Sequence, residues 1–294
     1  MTSFAVVARV RRVTHVRRVG HGGTLDPDAS GVLPIGLGQG TRVFEYFAEA
    51  TKVYQAEVVL GVATDTYDAA GTVVARHDPA PITRQQVVAA LVEFRGHILQ
   101  RPPMFSALKR AGQRLYDLAR RGQQVELEPR PVHILRLELL DWRPPVFTLE
   151  VECGRGTYIR SLAHDVGQKL GCGAHLQALV RTRDGPFTLD EAVTLEDLER
   201  AVQEGTWCDL RYPLDSGLLA WRAAILGPEQ VRRLRVGQAL ALDRATADPA
   251  LQFPDGEPCR AYSTAGDFLA VLRYRAADGL WRPEKVFATE HEHN

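Results

Sequence analysis

The sequence predicts an α+β fold: a mixed or antiparallel sheet with packed helices, followed by a small β-rich unit. Three observations predict it. Val-rich alternating segments and capped helical segments follow one another without a regular β-α repeat. The length of 294 residues suits one large domain or two ordinary ones. Composition shifts near Tyr212-Pro213, and the short strand candidates beyond it are separated by Asp, Pro and Gly turns. The first unit is therefore placed at residues 1–212 and the second at 213–294.

The elements follow in order. Ser3 is read as the cap of a first helix with Phe4, Val7, Ala8 and Val10 on its apolar face. Residues 20–40 are glycine-rich without periodicity and read as loop. Lys52 to Gly61 alternates as a strand. Thr83 with Gln86 forms a capping box for a helix running to about Phe94. Gly96 to Gln100 is a short strand stopped by Pro102 and Pro103, and Gln113 to Arg121 reads as a helix ending at Gly122. Pro131 to Trp142 and Val146 to Cys153 are consecutive strands around Pro144-Pro145. Helices are expected from Tyr158 to Leu170 and from Thr194 to about Gly205. In the second unit, strands are expected at Gln238–Leu242, Cys259–Tyr262 and Phe268–Tyr274.

Charge is balanced overall, with 36 basic and 36 acidic side chains, which alone argues against a nucleic-acid partner. The balance conceals a split. Residues 1–186 carry 24 basic and 18 acidic groups, or +6, and residues 187–294 carry 12 and 18, or −6. Residues 95–136 hold nine basic groups against three acids, a local footprint of a polyanion partner. The basic set is 32 Arg to four Lys, and Arg offers a planar fork for phosphates and bases, although an arginine-rich genome produces the same ratio. No apolar run approaches the roughly 18 residues of a membrane span, and no secretory signal core is seen. Cys153, Cys172, Cys208 and Cys259 are scattered thiols without metal-ligand spacing, which fits a reducing cytoplasm and no zinc site.

Three segments draw attention. Gly20-His21-Gly22-Gly23-Thr24-Leu25-Asp26-Pro27 is a loop able to wrap a ligand. Asp26 there is a nucleophile, a general base or a turn-forming Asp, and residue types alone favour the turn. Gly36-Leu37-Gly38-Gln39-Gly40 looks like a phosphate loop but lacks the Lys-Ser/Thr of a nucleotide site. Gly154 to Arg160 follows a strand and opens a helix, so Arg160 is either a surface residue or a partner for a carboxylate.

Together these segments resemble the bacterial tRNA pseudouridine synthase B (TruB) family. The resemblance rests on GHGGTLDP (20–27), SGVLPIGLG (30–38), KVYQA (52–56), LGVATDTYDAAG (60–71), QRPPMFSALK (100–109), GQRLYDLARRG (112–122) and CGRGTYIRSLAHDVG (153–167), in register from residue 2 to about 200. It implies isomerisation of a uridine in the tRNA T-loop, position 55, by a monomer acting on the T-arm without metal or organic cofactor. It implies that Asp26 is the nucleophile, Arg160 its partner and Tyr54 the aromatic stacked on the target base. Tyr158 and Leu179 are implied to line the base pocket, and His21 to contact the RNA loop. The final 80 residues resemble the β-rich PUA-type RNA-binding module, more weakly. Lys109, Arg110, Arg114, Arg120 and Arg121 are then expected on the tRNA backbone. The family's usual opening strand, ending in Lys-Pro-x-Gly ahead of Thr2-Ser3, is expected to be missing from a chain read from Met1. Gly22 replaces a usual Thr, which predicts a looser His21 loop, and Val180 replaces the first of a usual Arg pair. Two other readings share these residues: a tRNA-binding or folding protein with lost catalysis, and a guide-RNA-dependent synthase.

Overall fold

The computed structural model of the protein describes residues 1–47, 50–104, 127–242 and 253–288, and the backbone of Lys109–Arg110 and Gln113–Arg114. Helix α1 (Ser3–Thr14) is capped by Thr2, whose hydroxyl accepts the Ala5 N–H at 3.1 Å, one residue before the cap the sequence suggests. Its buried stripe is Ser3, Val7, Val10 and Thr14, the 3.6-residue spacing, whereas Phe4 is exposed and Ala8 faces solvent with it. The glycine-rich stretch is more ordered than its composition suggests. Strand β1 (Val19–His21) closes on β3 (Ile35–Leu37), with β2 (Ser30–Gly31) between them in sequence. Strands of two or three residues leave no alternation to detect.

Strand β4 (Lys52–Leu60) is followed by the pair β5 (Val62–Thr64) and β6 (Val73–Arg76). Helix α2 (Arg84–Val92) carries the Thr83–Gln86 capping box, and β7 (Gly96–Gln100) follows. Backbone pairing joins β8 (Lys109–Arg110) to β9 (Gln113–Arg114), so the helix expected from Gln113 does not begin there; residues 115–121 lie outside the described residues. The long hairpin β10 (Arg130–Arg143) and β11 (Val146–Cys153) turns at a cis Pro144–Pro145 bond. Helix α3 (Ile159–Lys169) leads into β12 (Ala174–Asp184), a strand with no sequence expectation, then β13 (Phe187–Thr188) and α4 (Leu195–Glu204).

The main sheet runs β13-β12-β4-β11-β10-β7, antiparallel throughout, with β2 parallel beside β12. Strand β4 sorts its faces by parity. Tyr54, Ala56, Val58 and Leu60 point to a core with Leu162, Ala163 and Val166 of α3 and Val87 and Leu91 of α2, while Gln55 and Glu57 are exposed. Each fully buried Leu or Val there contributes about 1.5–3 kcal/mol. Helix α3 lies so close to β12 that a Cβ at Gly167 would meet the Ala174 nitrogen at 2.2 Å.

The second sheet contains β14 (Arg222–Leu226), β15 (Pro258–Ser263), β16 (Phe268–Arg275) and β17 (Leu280–Val286), with α5 (Pro228–Arg235) after β14. It has its own core of Leu226, Leu234, Leu240, Leu272 and Trp281. The strand expected at Gln238–Leu242 is reduced to one bridge between Leu240 and Trp281. This sheet is fastened to the first. Gln39 exchanges two hydrogen bonds of 2.9 Å with Ala288, and Arg42 Nη1 donates to the Val286 carbonyl at 2.9 Å. Val43, Leu218, Val271 and Phe287 form a small core across the seam.

Candidate active site

The loop between β1 and β2 holds Asp26. Its base is tied to α1, because Ser3 Oγ accepts the Leu25 N–H at 2.9 Å and donates to the Leu25 carbonyl at 3.3 Å. Asp26 also forms a turn, its carbonyl accepting the Ala29 N–H at 3.0 Å. Its side chain meets Arg160 on the first turn of α3. Nη2 donates to Oδ1 at 3.0 Å, and Nε sits 2.9 Å from Oδ2 as an ion pair outside hydrogen-bond alignment. The turn-forming and charge-paired readings of Asp26 therefore hold together. Arg160 is 7% exposed and Asp26 is 38% exposed, so the guanidinium is fixed while the carboxylate keeps an open side.

A second carboxylate shares that guanidinium. Asp68 Oδ2 accepts from Arg160 Nη1 at 3.2 Å, and Asp68 is itself held by Thr66 Oγ1 at 2.5 Å and the Ala70 N–H at 3.1 Å. Burial pushes the Asp26 carboxyl above its ordinary value, against the pull of Arg160, and the negative charge of Asp68 adds to the rise. The start of α3 is set by Gln100 at the end of β7. The buried Gln100 amide accepts the Tyr158 N–H at 2.8 Å and donates to the Tyr158 carbonyl at 3.0 Å. Ser161 Oγ donates to the Arg101 carbonyl at 2.8 Å. Neither Asp68 nor Gln100 carried a sequence signal for this role.

Tyr54 lies on the same sheet face and is buried. Its cross-strand partner on β12 is Arg181, whose positive charge pulls the phenol down against the effect of burial. Burial pushes that phenol up to about 12, so it stays neutral at ordinary pH. Arg181 is fully buried, donates to the Val32 carbonyl at 2.7 Å and to the Gly23 carbonyl at 3.1 Å, and so ties Tyr54 to the Asp26 loop. Asp184 lies 3.5 Å from Arg181 Nε and 2.9 Å from Lys52 Nζ. Gly31, at φ 102°, lets β2 pack on this strand, since a Cβ there would sit 2.2 Å from the Arg181 carbonyl oxygen.

A family model described as TruB family pseudouridylate synthase, N-terminal domain, matches residues 11–159, and one described as tRNA pseudouridylate synthase B C-terminal domain matches residues 160–220. The chain belongs to the TruB family. A curated tRNA pseudouridine synthase B of Dehalococcoides mccartyi is 44% identical over 98% of this chain and 93% of that protein. Another, of Stutzerimonas stutzeri, is 51% identical over 98% of this chain and 92% of that protein. Among solved structures, that of a Cbf5-Nop10-Gar1 complex matches with TM-score 0.74 and 26% identity, over 99% of this chain and 83% of that one. A structure of an H/ACA RNP bound to a substrate RNA is similar in fold, at TM-score 0.73 and 24% identity, over 98% of this chain and 82% of that one.

The remaining TruB positions distribute unevenly. Leu179 is buried beside Ala56 on the face of Tyr54, and Tyr158 is half-buried at the α3 N-cap. His21 ends β1, and burial together with Arg181 holds its imidazole below the ordinary range; its Nδ1 has no partner among the described residues. Gly22 packs closely at this loop. Its N–H donates to the Pro34 carbonyl at 2.9 Å, and a Cβ would stand 3.0 Å from the Phe44 ring. Arg95 and Arg136 of the basic region turn to the protein. Arg95 donates to the Leu137 carbonyl at 2.8 Å, and Arg136 lies among Glu138, Glu150 and Glu152. Lys109, Arg110 and Arg114 sit on β8 and β9, where only backbone is described, and Arg120 and Arg121 lie outside the described residues. Cys153, Cys172 and Cys259 are buried and Cys208 is exposed, all as free thiols. Among the described residues no three metal-binding side chains converge, and no helix is long and apolar enough to cross a membrane.

Proposed function

We propose that this chain isomerises uridine to pseudouridine in tRNA, at position 55 of the T-loop, with Asp26 as nucleophile. The observation that carries the reading is the Asp26–Arg160 pair, open on one side and set on the sheet face of Tyr54. A carboxylate held ionised by a guanidinium attacks the nucleoside covalently and later leaves, dividing one hard step into two. The uracil is released from C1′, turned, and rejoined to C1′ through C5; the C5 proton is lost to solvent and N1, freed from C1′, takes one up. Arg160 keeps Asp26 charged and aimed. The target base leaves its stack first, and stacking on the neutral Tyr54 ring returns about 1–3 kcal/mol of that cost. Tyr158 and Leu179 line the pocket, and His21 contacts the loop vacated by the base. The tRNA substrate is supported by relatives 44% and 51% identical that carry the name tRNA pseudouridine synthase B.

The chain acts as a monomer on the T-arm, and residues 213–294 form a second RNA-binding unit. The test is tritium release from tRNA transcribed with uridine labelled at C5. Release by the purified chain without added RNA or protein is expected. Salt-sensitive tRNA binding without release sinks the catalytic reading.

A further inference from the structure

The first 25 residues contain Arg9, Arg11, Arg12, Arg17 and Arg18 and no acid. Arg9 is consumed internally, bonded to Glu199 at 2.7 and 2.9 Å and to Glu196 at 3.0 Å on α4. The other four are exposed and make no ion pair among the described residues; Arg11 only reaches the Val19 carbonyl at 3.4 Å. The buried stripe of α1 leaves Arg11, Arg12 and the exposed His15 on its outer side. Arg17 and Arg18 continue from the helix end toward β1. The Arg18 carbonyl accepts the Gly38 N–H at 2.8 Å, which places it at the seam where Arg42 and Lys285 join the two sheets.

This cationic strip is rigidly related to the site. At one end Ser3 is bonded to Leu25, next to Asp26, and at the other β1 runs from Arg18 into His21. Arg18 lies three strand steps from His21, or about 10 Å. Four exposed guanidiniums without an ion pair among the described residues, of which only Arg12 feels a nearby acid, Glu199, suit a polyanion, and the forked geometry of Arg suits phosphate.

We propose that Arg11, Arg12, Arg17 and Arg18 form a phosphate-backbone track that carries the tRNA strand from the His21–Asp26 loop toward the second sheet. The proposal rests on the tRNA reading above and moves the main electrostatic grip to the first helix and its exit, away from Arg95 and Arg136.

The test uses the full chain and full-length tRNA transcript, with Arg11→Gln/Arg12→Gln and Arg17→Gln/Arg18→Gln read separately. Each pair is expected to weaken Kd about tenfold near 0.1 M salt and to reduce the slope of log affinity against log salt by roughly 0.7–0.9 for each phosphate no longer neutralised. The rise in KM should exceed any fall in kcat. The matching Arg→Lys pairs keep the charges and should keep the slope. Unchanged affinity and slope in both Gln pairs overturn the track, as do Lys pairs that lose the slope as fully as the Gln pairs. Tritium release with an unchanged slope sinks the track alone. A slope governed by these arginines without release sinks the catalytic reading alone.

Discussion

Arg160 and Arg260 are both nearly buried guanidiniums facing an aspartate, one on helix α3 against the first sheet and one on β15 of the second. Arg260 is 12% exposed and Asp215 is 11% exposed; the pair is completed by the Tyr262 hydroxyl and the Leu219 and Trp221 carbonyls. Tyr262 also donates to Asp215 Oδ2. Asp215 Oδ2 there is met by both Arg260 and Tyr262, and little of either charged side chain reaches solvent. Arg160 is as buried, yet its partner Asp26 keeps an open face and is pushed up by burial. The same two residue types thus close a seam in one place and hold a reactive carboxylate ready in the other. What separates them is the solvent-facing side of the acid, not the strength of the pairing. A buried, saturated pair is costly to break, while a half-open one is positioned for chemistry.

The largest effect expected is at Asp26. Asp26→Asn should lower turnover by a factor on the order of 10^4 or more, read by tritium release. Near-normal release would end the nucleophile assignment. Asp215→Asn breaks the saturated cluster and should cost about 3–5 kcal/mol in denaturant unfolding, with little change in the rate per folded molecule. A larger loss in rate than in stability would erase the distinction between the two clusters. Next comes Asp184→Asn, which leaves Lys52 and Arg181 as like charges beneath Gly23. A fall in kcat on the order of tenfold is expected, because Tyr54 and the Gly23 carbonyl both lean on Arg181. Adding Lys52→Met should recover part of it, and no recovery would count against the charge argument.

The smallest effect concerns pH. Asp26 must be ionised to attack, and its carboxyl titrates above the ordinary range. Activity should therefore fall, as pH is lowered, at a higher pH than an unperturbed aspartate would give. The charge of Asp68 is one cause of that rise, so Asp68→Asn should move the acid limb of the pH–rate profile downward. An upward move would mean that its grip on Arg160 outweighs its repulsion of Asp26.

Much of the fold was readable along the chain. Lys52–Leu60, Val146–Cys153, the Thr83 and Thr194 capping boxes and the helix opened by Tyr158 all follow local rules of alternation and capping. The short pairing of β1 with β3 and the strand β12 did not, since neither has a clean period. The site divided the same way. The chain order of motifs pointed to Asp26, Tyr54 and Arg160, but nothing local marked Asp68, Gln100, Arg181 or Asp184.

The case of Asp184 shows why. Three residues apart on a regular strand, Arg181 and Asp184 face opposite sides. An irregularity in the β12–β4 register between Arg181 and Arg183 returns Asp184 to the face of Arg181, where it meets Lys52. By itself the sequence determined the longer capped helices and alternating strands and which family motifs the chain carries, because caps, alternation and motif spacing are local. Only the tertiary structure decided which charges pair and which stay free. Burial and register are properties of surfaces brought together from distant parts of the chain, and they leave Asp26 half open, Asp215 nearly closed, Arg9 paired with α4, and Arg11 and Arg12 turned outward.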